Sequence, residues 1–402
     1  MNFIDIPSFI AKHVTKRKSS MFERDILQFS DVLSERIQNK KVLVIGGAGT
    51  IGSSYIKAVL NFKPGKLVIV DINENGLTEL TRDLRSTENQ YIPADYTTYP
   101  MNFGDPVFKK MFMEHGPFDI VANFAAHKHV RSEKDHFSIE AMLENNVFQA
   151  KKLLDLLLEH KPAHFFCVST DKAANPVNVM GGSKKLMEEV IMAYSKELNI
   201  TTARFANVAF SNGSLLDGYI QRLFKSQPIS CPGDVKRFFV SPEESGQICM
   251  LACMLGNSGE IFFPKLSEDE QVYFKEITLR FFEEAKREIV LCHTEEEAKE
   301  KSKNLENNPY PVYFFASDTS GEKLYEEFYT ETDTLDLEKF NSLGVITNSK
   351  KLQISEIEDA LLEIHVILQK PGYDKELIVS AMKKYLPDFE HIETGKSLDQ
   401  KM

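Results

Sequence analysis

Cysteine, net positive charge and long apolar runs are all scarce in this 402-residue sequence, and each shortage excludes something. Its five cysteines, Cys167, Cys231, Cys249, Cys253 and Cys292, form no Cys-x-x-Cys pair and no Cys/His cluster with zinc spacing. Neither a disulfide framework nor a metal site is expected, and a reducing cytoplasm suits the chain. No stretch approaches the roughly 18 uncharged apolar residues that span a bilayer, and the opening MNFIDIPSFIAKHVTKRKSS lacks the apolar core and cleavage site of a signal peptide. A soluble protein without membrane insertion is the expectation. Lysine and arginine total 48 against 59 aspartates and glutamates, a formal net charge of −11, which argues against nonspecific binding to nucleic acid or an anionic membrane surface. Any anionic ligand must be held by local positive groups. The basic run Lys16-Arg17-Lys18 reads as a solvated helix face.

What is present is a globular composition, 42% hydrophobic and 27% charged, in a length that suggests about two or three units. Residues 1–39 read as an N-terminal helical arm with a packing or oligomer role. Residues 40–215 carry apolar, β-branched runs, Lys41-Val42-Leu43-Val44-Ile45, Leu67-Val68-Ile69-Val70, Phe118 to Asn123 and His164 to Ser169. Helical stretches separate them, among them Ser53 to Phe62, Met142 to Glu159 and Lys184 to Leu198. That alternation predicts an α/β fold, a doubly wound parallel sheet covered on both faces. Residues 216–345 read as a smaller mixed α/β substrate-binding domain, with the Glu295-Glu296-Glu297 stretch in a solvated helix. Residues 346–402 read as a C-terminal helical region and tail, with one helix in the last thirty residues.

The segment Gly46-Gly47-Ala48-Gly49-Thr50-Ile51-Gly52 lies between the first strand and its helix. Glycines there permit a tight turn, a close approach to a pyrophosphate and close helix packing, and free amides at the helix start attract the anion. Asp71 ends the next strand 19 residues past Gly52, placed to accept hydrogen bonds from an adenosine ribose. A carboxylate repels a 2′-phosphate, which selects NAD over NADP.

The GxxGxxG spacing resembles the extended short-chain dehydrogenase/reductase superfamily, with its Rossmann-like fold. By that resemblance Gly46, Gly49, Thr50, Ile51, Gly52 and Asp71 hold NAD, and Asp95 faces its adenine. Asn123-Phe124-Ala125-Ala126-His127-Lys128 resembles the segment beneath the cofactor ribose, with Ala125 and Ala126 at the cofactor and Lys128 at the substrate, and Asn146 matches a helix asparagine. The superfamily's Tyr-x-x-x-Lys pair corresponds to Met180-Gly181-Gly182-Ser183-Lys184, so a thioether that transfers no proton replaces the phenol. Its helices equivalent to Met142–Glu159 and Lys184–Leu198 pair subunits, which implies a homodimer or higher homo-oligomer.

Upstream, Ser169-Thr170-Asp171-Lys172-Ala173-Ala174-Asn175-Pro176 follows a strand, so Thr170, Asp171 and Lys172 reach the sheet's C-terminal edge, the usual ligand site. With the Met-x-x-x-Lys, this string resembles nucleotide-sugar 4,6-dehydratases of polysaccharide biosynthesis that act on nucleotide-activated N-acetylglucosamine. Arg204-Phe205-Ala206-Asn207-Val208 resembles the family segment whose asparagine meets the substrate diphosphate and whose valine lies by the nicotinamide. Lys236-Arg237-Phe238 resembles the segment whose arginine clamps the diphosphate, and Gly321-Glu322-Lys323-Leu324-Tyr325-Glu326-Glu327 a C-terminal family motif.

The resemblance implies NAD-dependent conversion of UDP-N-acetylglucosamine to its 4-keto-6-deoxy sugar. Thr170 would bind the 4-hydroxyl, Asp171 donate a proton to the departing 6-hydroxyl, Lys172 take the carbon-5 proton and Lys184 hold the nicotinamide ribose. Because Met180 accepts no proton, Asp171 is read as taking the 4-hydroxyl proton first. Met at this position points to retained configuration at carbon 5. A GDP-linked substrate stays open, as do a nucleotide-sugar 4-epimerase and an NAD-bound regulatory protein without catalysis.

Overall fold

A computed structural model describes residues 4–305, 308–317, 326–347 and 352–393. The apolar runs form strands β1 (Lys41–Ile45), β2 (Lys66–Asp71), β3 (Asp95–Pro100), β4 (Ile120–Asn123), β5 (His164–Val168) and β6 (Ile200–Ala203). They are followed by β7 (Asn207–Val208), β8 (Ile229–Pro232), β9 (Lys236–Arg237), β10 (Phe239–Val240), β11 (Ile261–Pro264) and β12 (Val272–Tyr273). The last four are β13 (Ile289–Cys292), β14 (Tyr310–Phe315), β15 (Leu335–Asp336) and β16 (Leu343–Ile346).

Among the described residues the main sheet has nine strands, ordered β15-β16-β11-β6-β5-β4-β1-β2-β3. β1 pairs in parallel with both β2 and β4, so the chain winds outwards in opposite directions from β1. This is the doubly wound arrangement that opens a ligand crevice at the C-terminal ends of β1 and β4. Strands β4 and β6 are buried along their whole length and β5 from Phe165 to Val168, as a parallel sheet covered on both faces requires. Past β6, β11 continues in parallel, and β16 and β15 close that edge antiparallel.

A separate parallel sheet, β13-β14-β8, carries a second apolar cluster around Tyr219, Phe281, Phe282 and Tyr310. The N-terminal arm joins the two cores, because Phe9, Ile10 and Val14 pack into this cluster while Phe22, Leu33 and Ile37 pack into the main one. Arg17 fastens the arm, with Nε 2.8 Å from Glu244 Oε1 and Nη1 3.2 Å from Glu270 Oε1. That corrects the reading of the basic run as a solvated face: at Arg17 two carboxylates, remote in sequence, take the charge.

The helix expected from Met142 begins at His136, where Asp135 forms a capping box with Ser138, and turns through a π-helical step at Glu144–Phe148 before Gln149–Glu159. The helix expected from Lys184 spans Val179–Ala193, because the Asn178 side chain accepts from Gly181 N at 2.7 Å and starts it early. Two helices follow the last strand, Ile354–Leu368 and then Lys375–Tyr385, the latter the one expected in the last thirty residues, and both pack on Val179–Ala193. A face that the resemblance gives to subunit pairing is therefore covered by this chain's own C-terminal segment. A Cβ at Gly182 would lie 2.8 Å from Met382 Cε and 3.2 Å from Phe389 Cζ.

One buried ion pair ties these layers together beside the sheet's C-terminal edge. Arg204 holds Glu188 with two bonds, Nε to Oε1 at 2.9 Å and Nη2 to Oε2 at 2.7 Å, and Ser169 Oγ donates to Glu188 Oε1 at 2.6 Å. The third arm of the guanidinium, Nη1, donates to the Phe328 carbonyl at 2.9 Å. Burial alone would raise the Glu188 carboxyl, but Arg204 outweighs it and holds the group below its usual range. That contribution to stability is therefore present above roughly pH 4.5 and lost as pH falls through the lower native value.

Arg204→Met is expected to cost about 3–5 kcal/mol in urea denaturation, since it strands a buried carboxylate. A loss below about 1 kcal/mol would show that the pair is not structural. Gly182→Leu is expected to cost about 1–3 kcal/mol by the same measurement, through overpacking against Met382 and Phe389.

Candidate active site

The turn after β1 is built for close approach. Gly46 has φ +75°, and a Cβ there would stand 2.5 Å from the Ala125 backbone nitrogen, so the turn lies directly against the chain leaving β4. Ala125 N in turn donates to Asn123 Oδ1 at 3.0 Å, and Ala126 follows it. Helix Thr50–Leu60 starts at Gly49, and among the described residues no side chain caps its N-terminus. Thr50, Ile51 and Gly52 thus form the uncapped first turn of a helix, a place for an anion. Asp71 ends β2 beside it. Its Oδ2 accepts from Ala48 N and its Oδ1 from Asn73 N, both at 2.9 Å, which leaves the carboxylate lone pairs for a ribose hydroxyl. The turn, the uncapped helix and the acidic strand end fit a dinucleotide with two ribose hydroxyls.

Asp95 does not belong to this group. It is the first residue of β3 and pairs with Lys66, the first residue of β2, so it lies at the edge opposite the turn. Its carboxylate sits 3.1 Å from Lys66 Nζ. The expectation that Asp95 faces adenine is therefore corrected: in a parallel sheet the ligand edge of β3 is at Pro100, and Met101 N donates to the Asp71 carbonyl there at 3.0 Å.

Strand β5 ends at Val168 and delivers Thr170, Asp171 and Lys172 as a short 3-10 turn. Thr170 Oγ1 donates to Asp171 Oδ1 at 2.8 Å, and Lys172 Nζ lies 3.0 Å from the same oxygen. Asp171 is buried, and Glu326 Oε1 lies 3.7 Å from Lys172 Nζ on the far side. Burial works against the Lys172 charge, but Asp171 and Glu326 together outweigh it and hold the ammonium above the ordinary lysine value.

Met180 and Lys184 lie on helix Val179–Ala193 and are both buried. Lys184 Nζ donates to the Val168 carbonyl at 2.6 Å and lies 3.3 Å from Met187 Sδ. Burial pushes its ammonium below the usual lysine range, with Cys167 and Glu188 opposing. Asn146 joins this helix to the chain beyond β4. Its Nδ2 donates to Ser183 Oγ at 3.0 Å and to the His127 carbonyl at 2.9 Å, and His127 N donates to its Oδ1 at 2.8 Å.

Lys172, Asn178, Asn207, Val208, Arg237 and Glu326 line one cavity of about 1070 Å³, large enough for a nucleotide sugar. Arg237 is buried, with Nη1 donating to the Lys236 carbonyl at 2.9 Å and Nη2 3.9 Å from Glu326 Oε1. Lys128 stands at the join between turn and cavity. Its Nζ donates to the Asn212 carbonyl at 3.1 Å, and Asn212 N donates to Thr50 Oγ1 at 2.9 Å. The structure thus brings Lys172, Asn207, Val208 and Arg237 together on one cavity wall. Glu326, quoted only as part of a motif, was assigned no role. The motif's residues 321–325 lie outside the described residues.

The family described as "Polysaccharide biosynthesis protein" matches residues 42–348. An uncharacterized membrane protein of Methanocaldococcus jannaschii is 30% identical over 324 residues, 79% of this chain and 88% of that protein. No helix among the residues described here is long and apolar enough to cross a membrane. A UDP-N-acetylglucosamine 4,6-dehydratase (inverting) of Campylobacter jejuni is 27% identical over 236 residues, 56% of this chain and 67% of that one. A UDP-glucose 4-epimerase of Rickettsia felis is 26% identical over 352 residues, 83% of this chain and 98% of that one. The solved structure of DesIV, a dTDP-glucose 4,6-dehydratase of Streptomyces venezuelae with NAD and TYD bound, matches with a TM-score of 0.56 at 18% identity. That match covers 72% of this chain and 88% of the other and is a likeness of fold. With one match running from β1 through the Asp-Lys turn to β16, the chain belongs to the polysaccharide biosynthesis protein family.

Proposed function

We propose that the protein is an NAD-dependent 4,6-dehydratase of a nucleotide-activated N-acetylglucosamine, UDP-linked, producing the 4-keto-6-deoxy sugar. The observation that carries this reading is the Thr170–Asp171–Lys172 unit beside a cavity of nucleotide-sugar size, on a fold whose usual tyrosine position holds Met180. A 4-epimerase has no need of a second acid-base pair. The relatives support a nucleotide-sugar reaction, since those with printed activities are dehydratases and epimerases.

NAD would be held by the Gly46–Gly52 turn and Asp71, and the chemistry it would supply when bound is acceptance of the carbon-4 hydride and its return to carbon 6. The residues of the chain handle the protons. Thr170 binds the 4-hydroxyl, and Asp171, as a carboxylate, accepts its proton. The resulting 4-ketone acidifies carbon 5, and Lys172, having released its ammonium proton to solvent once Asp171 is protonated, removes the carbon-5 proton as the neutral amine. Asp171 then passes its proton to the 6-hydroxyl, which leaves as water, and Lys172 returns a proton to carbon 5. One carboxylate thus serves two steps and ends in its starting state. Asn207 and Arg237 would hold the diphosphate, Val208 would line the place of the nicotinamide, and Lys128 would contact the substrate. Protonation of Asp171 also removes one of two negative charges facing Lys172, which loosens the lysine's hold on its own proton.

Incubation with UDP-N-acetylglucosamine and NAD is expected to give a product lighter by one water, with carbon-5 configuration retained. An isomer of unchanged mass would establish an epimerase, and unreacted substrate a binding protein without catalysis. Inverted coupling constants around carbon 5 would sink the stereochemical part alone. Asp171→Asn is expected to lower kcat by about 10²–10⁴-fold and to stop deuterium exchange at carbon 5 in heavy water. Exchange that persists in this variant would show that another group takes the 4-hydroxyl proton.

A further inference from the structure

Glu326 is the one buried carboxylate on the cavity wall, among the described residues, that the proposed reaction leaves without a task. Its Oε1 stands between two cations, 3.7 Å from Lys172 Nζ and 3.9 Å from Arg237 Nη2. These cations have different duties in the proposed function. Lys172 works at the sugar ring, and Arg237 holds the diphosphate.

The position of Glu326 is built from outside the cavity. Two residues on, the Phe328 carbonyl accepts from Arg204 Nη1 at 2.9 Å, and the Phe328 ring packs on Phe238 and Phe263 with centroids 5.5 and 6.2 Å apart. Between them, Glu327 Oε2 accepts from Asn175 Nδ2 at 2.7 Å, which binds the segment to the loop that carries Asp171 and Lys172. The anchors come from Arg204 just after β6, Phe238 between β9 and β10, Phe263 on β11 and Asn175 beyond the β5 turn.

Resting on the dehydratase reading for the roles of its two partners, we propose that Glu326 is a positioning residue that couples the diphosphate clamp Arg237 to the proton-transferring Lys172. In the free protein its charge is shared between the two. A diphosphate on Arg237 takes over that cation, strengthens the pull of Glu326 on Lys172, and so draws the ammonium into place when a nucleotide diphosphate is bound. The charged groups facing Lys172 are Asp171 on its own turn, Glu326 and Arg237; the first two raise its proton affinity and Arg237 lowers it. His129 and Arg131 lie on the same cavity wall.

The test is competitive acylation of the full-length protein across pH, with the labelling midpoint of Lys172 read by mass spectrometry. The midpoint reports proton affinity without requiring turnover. Glu326→Gln is expected to lower it by about one pH unit, the size of effect of one opposite charge at this range. Glu326→Asp, which keeps the charge, is expected to stay close to wild type, as is Glu327→Gln, which removes a charge one residue away. UDP is expected to raise the midpoint in the wild type and to raise it less in Glu326→Gln. An unmoved midpoint in Glu326→Gln, or an equal response to UDP with and without the carboxylate, would overturn the coupling. A midpoint that moves as expected in a protein that leaves UDP-N-acetylglucosamine intact would instead overturn the dehydratase reading and keep the link between Glu326 and Lys172. Unfolding curves of each variant separate these outcomes from misfolding.

Discussion

The buried pair of Arg204 and Glu188 is the constraint on which the rest of the site depends. A bidentate ion pair out of water is costly unless every polar arm is satisfied. Here the satisfaction is distributed: Glu188 comes from helix Val179–Ala193, Arg204 follows β6, Ser169 follows β5, and the third bond goes to the Phe328 carbonyl. Four segments distant in sequence are thereby fixed relative to one another within hydrogen-bond tolerance. Three of them lead directly to the chemistry. Ser169 precedes Thr170, the helix carries Met180 and Lys184, and Phe328 follows Glu326. An apolar pair in the same place would bury as well but would not specify these orientations, because dispersion contacts carry no direction.

The anionic character of the chain acquires a meaning at the site. A net charge of −11 sets an unfavourable field for a dinucleotide and a sugar nucleotide, both anionic. The structure offsets it with local devices: an uncapped helix start after the glycine turn, a lysine joining turn and cavity, and buried Arg237. Asp171 and Glu326 bring negative charge to the cavity side, and both face Lys172.

Local signals were legible in the sequence and remote ones were not. The turn after β1 could be read because strand, glycines and helix are contiguous, and Asp71 because it closes the next strand. Thr170, Asp171 and Lys172 were legible for the same reason. Asp95 was misplaced because composition marks a strand without marking which end of it meets the ligand; its pairing with Lys66 depends on register. The covering of Val179–Ala193 by Ile354–Leu368 and Lys375–Tyr385 was hidden because those helices show only ordinary amphipathic patterns, while their partner lies some 170 residues upstream. Glu326 was hidden for the same reason. Its meaning comes from Lys172 and Arg237, and one glutamate in an acidic motif carries no mark of either.

On the proposed function, Met180 accounts for proton chemistry gathered on one side of the site. Where a tyrosine works with a lysine on this helix, the ammonium lowers the phenol's proton affinity and must stay charged and near it. Met180 removes that demand, and Lys184 is found on the Val168 carbonyl and beside Met187 Sδ, in surroundings whose burial weakens its hold on a proton. Such a lysine is poorly placed to tune a neighbour. Lys172, by contrast, has two carboxylates within 3.7 Å and an arginine beyond them, so its charge responds to whatever protonates Asp171 or occupies Arg237. On the proposed function, the work that a phenol and lysine would share moves to the turn after β5, to a lysine flanked by Asp171, Glu326 and Arg237.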